Sequence, residues 1–211
     1  MTTLAAGPPA AAAATGELER IVDRSWFDRP ALDVASDLLG CVLVHDGLDG
    51  RVAGRLVEVE AYQGPEDLAA HSARGRTARN AVMFGPPGHL YVYLIYGLHH
   101  CANVVCGPAD KPEAVLLRAA AITEGVDLAS ARRGEAAARR LASGPGNLGE
   151  AFGLDRSLNG IDLLDGPVWL ARGAPPARTL RRPRIGVDYA GRWAARPLRF
   201  LDPHDPHVSR R

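Results

Sequence analysis

Residues 41–62 read CVLVHDGLDGRVAGRLVEVEAY, and the fold turns on how this stretch is read. Apolar and β-branched runs flank two Asp-Gly pairs, Asp46-Gly47 and Asp49-Gly50. Asp-Gly between such runs signals a β-hairpin, because the tight turns that match strand twist need positive φ. Two antiparallel strands joined near 46–50 are therefore expected. Side chains alternate along a strand, so Val57, Val59 and Ala61 should face one way and Glu58, Glu60 and Tyr62 the other. The apolar face is core. The other face sets like charges two residues apart and ends them in an aromatic, which solvation alone does not require. It is either a wet strand surface or the floor of a site that needs a carboxylate.

Upstream, RPALDVASDLLG (29–40) predicts a helix with Pro30 in its first turn and Gly40 at its stop. Downstream, residues 64–88 form a Gly/Pro/Arg-rich stretch, and loops beyond about 12–15 residues in a compact domain are usually functional or disordered. HLYVYLIYGLHHCANVVCG (89–107) reads as a second hairpin reversing near Tyr96-Gly97, and EAVLLRAA (113–120) as a further strand. Residues 123–154 supply helices broken at Gly134 and at SGPG (143–146), where Ser143 can cap the next helix. Residues 183–200 return as a closing strand and loop. The pattern gives an α+β fold, one compact domain over 17–205 with an antiparallel or mixed sheet and surrounding helices. An Ala/Pro-rich tail, expected to be disordered, precedes it at 1–16, and a short C-terminal tail follows at 206–211.

The chain has 211 residues, 46% hydrophobic and 23% charged, enough to bury a sizeable core. Residues 1–67 hold 12 acids against 5 bases, and residues 68–211 hold 12 acids against 20 bases. An acidic front and a basic remainder suit a protein that meets a polyanion with one surface. An arginine-rich coding bias fits equally, since Lys111 is the only lysine among 25 bases. Cys41, Cys101 and Cys106 sit in apolar contexts and read as buried free thiols, with no zinc-ligand spacing. The opening residues lack a basic n-region and an apolar h-region. The longest apolar run, LYVYLIYGL, is too short to span a bilayer. A soluble cytoplasmic protein is expected.

In the second hairpin Tyr91 and Tyr93 share a face, while Tyr96 sits beside the turning Gly97. A large side chain at a hairpin tip is either a contact surface or a ring lying back on its own sheet. Enzymes that act on a nucleic-acid base need a wedge to fill the hole left by extrusion and an aromatic platform for the extruded base. Unstacking costs a few kcal/mol and stacking returns roughly 1–3 kcal/mol per base, so one wedge and one platform about suffice.

Taken together, LLGCVLV, VEVEAYQGPEDLAAHS, RTARNAVMFGPPGHLYVYLIYGLHHCANVV, AVLLRAA, LASGPGNL and RIGVDYAGRWAARPLRF closely resemble the alkyladenine (3-methyladenine) DNA glycosylase family, bacterial type. The matching stretches run from about Leu38 to Phe200, and EAYQGPEDLAAHS and MFGPPGHLYVYLIYG are long and unusual. The resemblance implies a monofunctional enzyme of base excision repair that flips alkylated or deaminated purines out of double-stranded DNA and hydrolyses the N-glycosidic bond. It implies a monomer with no metal or cofactor and a protruding, DNA-inserting hairpin. By that resemblance Glu60 is the general base, and Arg118 and the main-chain carbonyl of Ile185 help hold the attacking water. Tyr62, His71 and Tyr93 then hold the flipped base, Asn103 screens its 2-position, and Tyr96 enters the duplex. Arg76 and Arg79 contact phosphates. Glu58 becomes a solvated or paired neighbour.

The chemistry agrees. Glycosidic hydrolysis passes through an oxocarbenium-like state, which a nearby carboxylate stabilises while taking the water's proton, a contribution of about 10²–10⁴-fold. An alkylated purine leaves as a cation-derived group and needs no strong acid, so one glutamate suffices. A binding module without chemistry would explain the basic half but not a Glu and an Arg aimed at one pocket. A metallohydrolase built on His45, His71, His99 and His100 fits poorly, because adjacent strand histidines point to opposite faces. Acyl transfer lacks a G-x-S-x-G elbow.

Overall fold

The strand that carries the two glutamates organises the sheet. The computed structural model describes residues 18–134 and 138–210, so the tail expected at 1–16 lies outside it. Strand β2, Gly50–Tyr62, is 13 residues long, well beyond the usual 5–6 or so, and both its edges are filled. On one edge it pairs with β5, Glu113–Glu124. The other edge is shared: β1, Val42–Gly47, covers Gly50 to Arg55, and β8, Arg199–Leu201, covers Glu58 to Glu60. The hairpin strands β3, Leu90–Ile95, and β4, His99–Cys106, extend the sheet beyond β5, and β6, Val168–Ala171, lies outside β1. The short β7, Leu180–Arg182, pairs with β8. Every pairing is antiparallel. The first hairpin, the second hairpin and the strand over 113–120 thus stand where the sequence put them, in an α+β domain.

Among the described residues three α-helices flank the sheet: α1, Ala31–Leu38; α2, Val126–Arg133; and α3, Pro145–Phe152. In α1 the residues Ala31, Val34, Ala35 and Leu38 are buried, a spacing that keeps them on one stripe. Its buried first amide, which has no partner within the helix, is satisfied from afar, since Ala31 N–H donates to Glu113 Oε2 at 2.6 Å. Gly40 ends the segment at φ +96°, and a Cβ there would sit 2.3 Å from the Ala174 carbonyl oxygen, so only glycine fits. Phe27, Leu38, Leu56, Val59, Leu117, Leu148 and Phe152 are fully buried in the principal core between helices and sheet. Each contributes about 1.5–3 kcal/mol by burial. The α3 helix reaches this close because Gly149 has no Cβ to strike the His100 carbonyl, which would lie 2.2 Å away.

Three local expectations change, and one strand was not anticipated. Ser143 does not cap α3: Gly144 is the N-cap residue, and the Ser143 carbonyl instead accepts from Asn147 Nδ2 at 2.7 Å. The closing stretch 183–200 is loop around a kinked 3-10 turn at Asp188–Trp193, with strand only at its end and β7 just before it. Strand β6 carried no alternation to mark it, because all four of its residues are buried. Finally, the simple alternation in β2 breaks. The register with β5 shifts between Leu56 and Val59. Leu56, Val59 and Ala61 join the principal core, while Val57 packs with Ala119, Leu201 and Val208 on the other side. Glu58 and Glu60 are both completely buried, so the polar face of this strand is not a wet surface.

The β3–β4 hairpin overshoots the rest of the sheet. It pairs from Leu90–Val104 out to Ile95–His99, whereas β5 accompanies β4 only from Asn103 to Cys106. Its outer half therefore projects past the sheet edge, with Tyr96 and Leu98 exposed at the tip.

Candidate active site

One row of cross-strand partners lays out the site. Arg199 (β8) faces Glu60 (β2), which faces Leu116 (β5), which faces Asn103 (β4), which faces Tyr91 (β3). Directly opposed residues share a face of the sheet, so five strands present side chains to one side. Over this row opens a cavity of about 340 Å³, within the usual range of roughly 300–1,000 Å³ for ligand pockets. Tyr62, His71, Tyr93, Tyr96, Asn103, Arg118 and Ile185 all line it.

Glu60 lies just beneath the lining. Its Oε1 accepts the Ile185 N–H at 2.9 Å and its Oε2 accepts the Tyr62 hydroxyl at 3.0 Å. Arg118 Nη1 stands 3.3 Å from Oε1. A carboxylate offers about four lone-pair sites, so acceptor capacity remains for a further donor such as water. Burial pushes the Glu60 carboxyl above its usual range, against the opposing pull of Arg118, Ile185 N–H and Tyr62. For Arg118, burial opposes the charge, but Glu60 and Glu58 together hold the guanidinium more firmly protonated than usual. Of the Ile185 peptide, the N–H is the group bonded to Glu60, which brings this backbone against the carboxylate.

The walls are aromatic. His71 and Tyr93 meet edge to face with centroids 4.4 Å apart, and Tyr91 and Tyr93 lie 5.4 Å apart. His71 Nδ1 is 3.0 Å from the Tyr91 hydroxyl. One side of His71 is open to solvent, yet packing against these rings, followed by the Arg79 charge, lowers its pKa and favours neutral imidazole. Burial raises the phenols of Tyr62 and Tyr93, aided by Glu60 at Tyr62 and by Cys101 at Tyr93. Asn103 is buried, and its Nδ2 donates to the Tyr91 carbonyl at 3.2 Å, which leaves its oxygen and second N–H for the cavity.

At the hairpin tip Tyr96 is 86% exposed and holds φ +54°, a left-handed conformation uncommon outside glycine. It does not lie back on its sheet. Arg79 packs over Tyr93 at 5.4 Å and donates to the Leu94 carbonyl. Arg76 lies over Phe84 at 5.9 Å, and neither arginine is part of the lining. Cys41, Cys101 and Cys106 are buried free thiols, as expected. Among the described residues no cluster of three or more His, Cys, Asp or Glu could hold a metal ion, and no helix is long and apolar enough to cross a membrane.

Sequence reasoning missed two supports, Arg184 and Tyr189, and left Glu58 open between solvated and paired. Arg184 packs over the Tyr62 ring at 4.5 Å and is gripped by Asp67 through a fully buried two-pronged ion pair. These partners are 117 positions apart, and nothing in the acidic turn at 66–67 marks the pairing. Tyr189, 72% exposed, also borders the cavity. Glu58 is paired rather than solvated: it accepts from Arg118 Nε at 3.1 Å, Arg199 Nη1 at 2.9 Å and Ser209 N–H at 2.7 Å.

Known proteins resemble this chain over most of its length. The model of the methylpurine-DNA glycosylase family matches residues 25–206. A Streptomyces avermitilis protein provisionally named 3-methyladenine DNA glycosylase is 50% identical over 192 residues, covering 88% of this chain and 89% of its own. A Methanocella arvoryzae protein of the same provisional name is 48% identical over 193 residues, covering 90% and 96%. One from Corynebacterium efficiens is 46% identical over 183 residues, covering 87% and 93%.

Proposed function

Because the chain belongs to the methylpurine-DNA glycosylase family, hydrolases of N-glycosyl bonds in DNA, we propose that it flips alkylated or deaminated purines from duplex DNA and cuts their glycosidic bond with a water activated by Glu60. The lesions are 3-methyladenine, 7-methylguanine, hypoxanthine and ethenoadenine. The observation that carries the reading is the convergence of Glu60, Arg118 and the Ile185 backbone beneath an aromatic cavity of about 340 Å³.

In this reading the purine enters between Tyr62 on one side and His71 with Tyr93 on the other. Of these lesions, 3-methyladenine and 7-methylguanine are cationic in DNA. Ring faces attract a cation, and a neutral His71 adds no repulsion. Water sits on the remaining lone pair of Glu60, with Arg118 and the Ile185 carbonyl as its other partners. As the bond breaks, positive charge builds on the sugar beside the Glu60 carboxylate, which then takes the water's proton. Tyr96, held outward at the hairpin tip, fills the gap in the duplex, and Arg79 and Arg76 meet phosphates. All these groups come from one chain, so a monomer suffices, and the same reading places it in the cytoplasm with the DNA.

The product is an abasic site in an intact strand. Cleavage through a Schiff base needs a free amine. Lys111, the only lysine, pairs with Glu113 at 2.9 Å, which raises its pKa, and it does not line the cavity. The test is incubation with oligonucleotides each carrying one defined lesion. Free base should appear, with strand breaks only after alkali and no effect of EDTA. No release from any lesion would refute the reading.

A further inference from the structure

The mechanism leaves one buried carboxylate unused. Glu58 has no exposed surface, yet it faces two guanidinium groups, Arg118 and Arg199, which are themselves nearly buried. Its Oε1 holds both, and its Oε2 is closed by the Ser209 N–H. The segment supplying that N–H is fixed at several points. Val208 packs with Val57, Ala119 and Leu201, Arg199 Nη1 donates to the Arg210 carbonyl at 2.6 Å, and Arg118 Nη2 donates to Ser209 Oγ at 3.4 Å.

We infer that Glu58 is a positioning residue for Arg118, and that the C-terminal segment 208–210 is the clasp that holds Glu58 to this task. The inference rests on the glycosylase reading of the same site. Arg118 divides its guanidinium between two carboxylates, Nε on Glu58 and Nη1 toward Glu60. Were Glu58 absent, Arg118 would be free to collapse fully onto Glu60, covering the lone pair that the water needs. With Glu58 in place the guanidinium is pulled back and its plane fixed. Arg199, opposite Glu60 on β8, reaches past it to Glu58, so its charge is also drawn off the cavity side. A buried, fully bonded carboxylate of this kind is costly unless every partner is present. That requirement makes the last described residues part of the site's support.

The test uses full-length Glu58→Gln, Ser209→Pro and the double variant. Gln keeps the shape and one acceptor but loses the charge, and Pro removes the N–H on Oε2 and the hydroxyl that Arg118 Nη2 reaches, while fixing the local φ. Single-turnover excision of hypoxanthine should fall about 10- to 100-fold in each, the scale of a misplaced group near the reaction, while lesion-duplex binding changes less than about threefold. The double variant should lose far less than the product of the two single losses, since both release the same Arg118 guanidinium. The pH profile supplies a readout that a purely structural role would not move. Glu60 is faced by Arg118 from β5, by Glu58 and Tyr62 from its own strand, by Tyr93 from β3 and Cys101 from β4, by the Ile185 N–H, and by Arg199 across from β8. Of these, the Glu58 charge raises its pKa. Glu58→Gln should therefore shift the acid limb of excision to lower pH even as the plateau drops. Lower melting temperature with unchanged plateau and limb would overturn the inference, as would a Ser209→Pro protein that folds and excises at the wild-type rate. Wild-type protein that releases no base would sink the glycosylase reading as well.

Discussion

The Tyr62 hydroxyl donates to Glu60 Oε2 at 3.0 Å, two positions along the same strand, so the wall of the cavity and the proposed base form one hydrogen-bonded unit. Anything that moves the ring moves the carboxylate. The coupling also sets how the site titrates.

Excision should fail on the acid side as Glu60 gains a proton. Burial raises its pKa above the ordinary 4.5, so the loss should occur above the usual carboxylate range. The hydrogen bond from Tyr62 favours the charged form and opposes that rise. Tyr62→Phe keeps the ring but removes the donor, so its acid limb should move to still higher pH in single-turnover assays. A limb that stays in place would show that Tyr62 does not tune Glu60. The sign for stability follows: with a folded pKa above the unfolded one, this group's contribution to folding declines as pH rises through that interval.

Asp67→Asn should destabilise the protein by about 3–5 kcal/mol, the cost of breaking a buried ion pair by removing one charge. Both partners, Asp67 and Arg184, have fully buried side chains. Chemical denaturation measures this, and a loss under about 1 kcal/mol would mean that Arg184 finds another partner. Because Arg184 backs Tyr62, excision by the folded variant should fall too.

Tyr96→Gly should separate stability from function. The wild-type residue holds a left-handed φ at an exposed tip, a strain of roughly 1–2 kcal/mol that glycine relieves at some entropic cost. Melting temperature should hold or rise, while excision from duplex falls. The fall should be smaller on a lesion already unpaired, where less of the flipping cost needs the wedge. Equal losses on both substrates would make the tyrosine a structural element.

Much of this was legible in the chain. The Asp-Gly turns at 46–50 and Tyr96-Gly97 fixed two hairpins, and the unusual run from Glu60 to Ser72 pointed to the site. What escaped was long-range. Glu58 stays open between solvated and paired, because alternation alone cannot show that Arg118 and Arg199 reach it from β5 and β8. The Asp67–Arg184 pair joins a turn to a loop with no local signature. Ser143 looked like a cap because the residue type fits, but the backbone turned at Gly144 instead.

Asn103 should set selectivity against guanine. One of its amide hydrogens is spent on the Tyr91 carbonyl, so the rest of the amide meets the purine edge, and a buried group left unpaired there costs roughly 1–3 kcal/mol. Asn103→Ser should raise excision of mismatched guanine relative to hypoxanthine, measured on matched duplexes. Loss of the Tyr91 bond would lower activity on both alike. An unchanged ratio would therefore mean that the asparagine serves only the hairpin backbone.

The central claim is that Glu60 activates the water, and Glu60→Gln tests it most directly. Glutamine preserves the shape, and its oxygen can still accept from Ile185 N–H or from Tyr62, but it cannot take a proton. Single-turnover release of hypoxanthine should fall by at least about 10²-fold, while affinity for the same lesion duplex stays within a few-fold of wild type. Release at a near wild-type rate by a folded, DNA-binding Glu60→Gln protein would contradict the account.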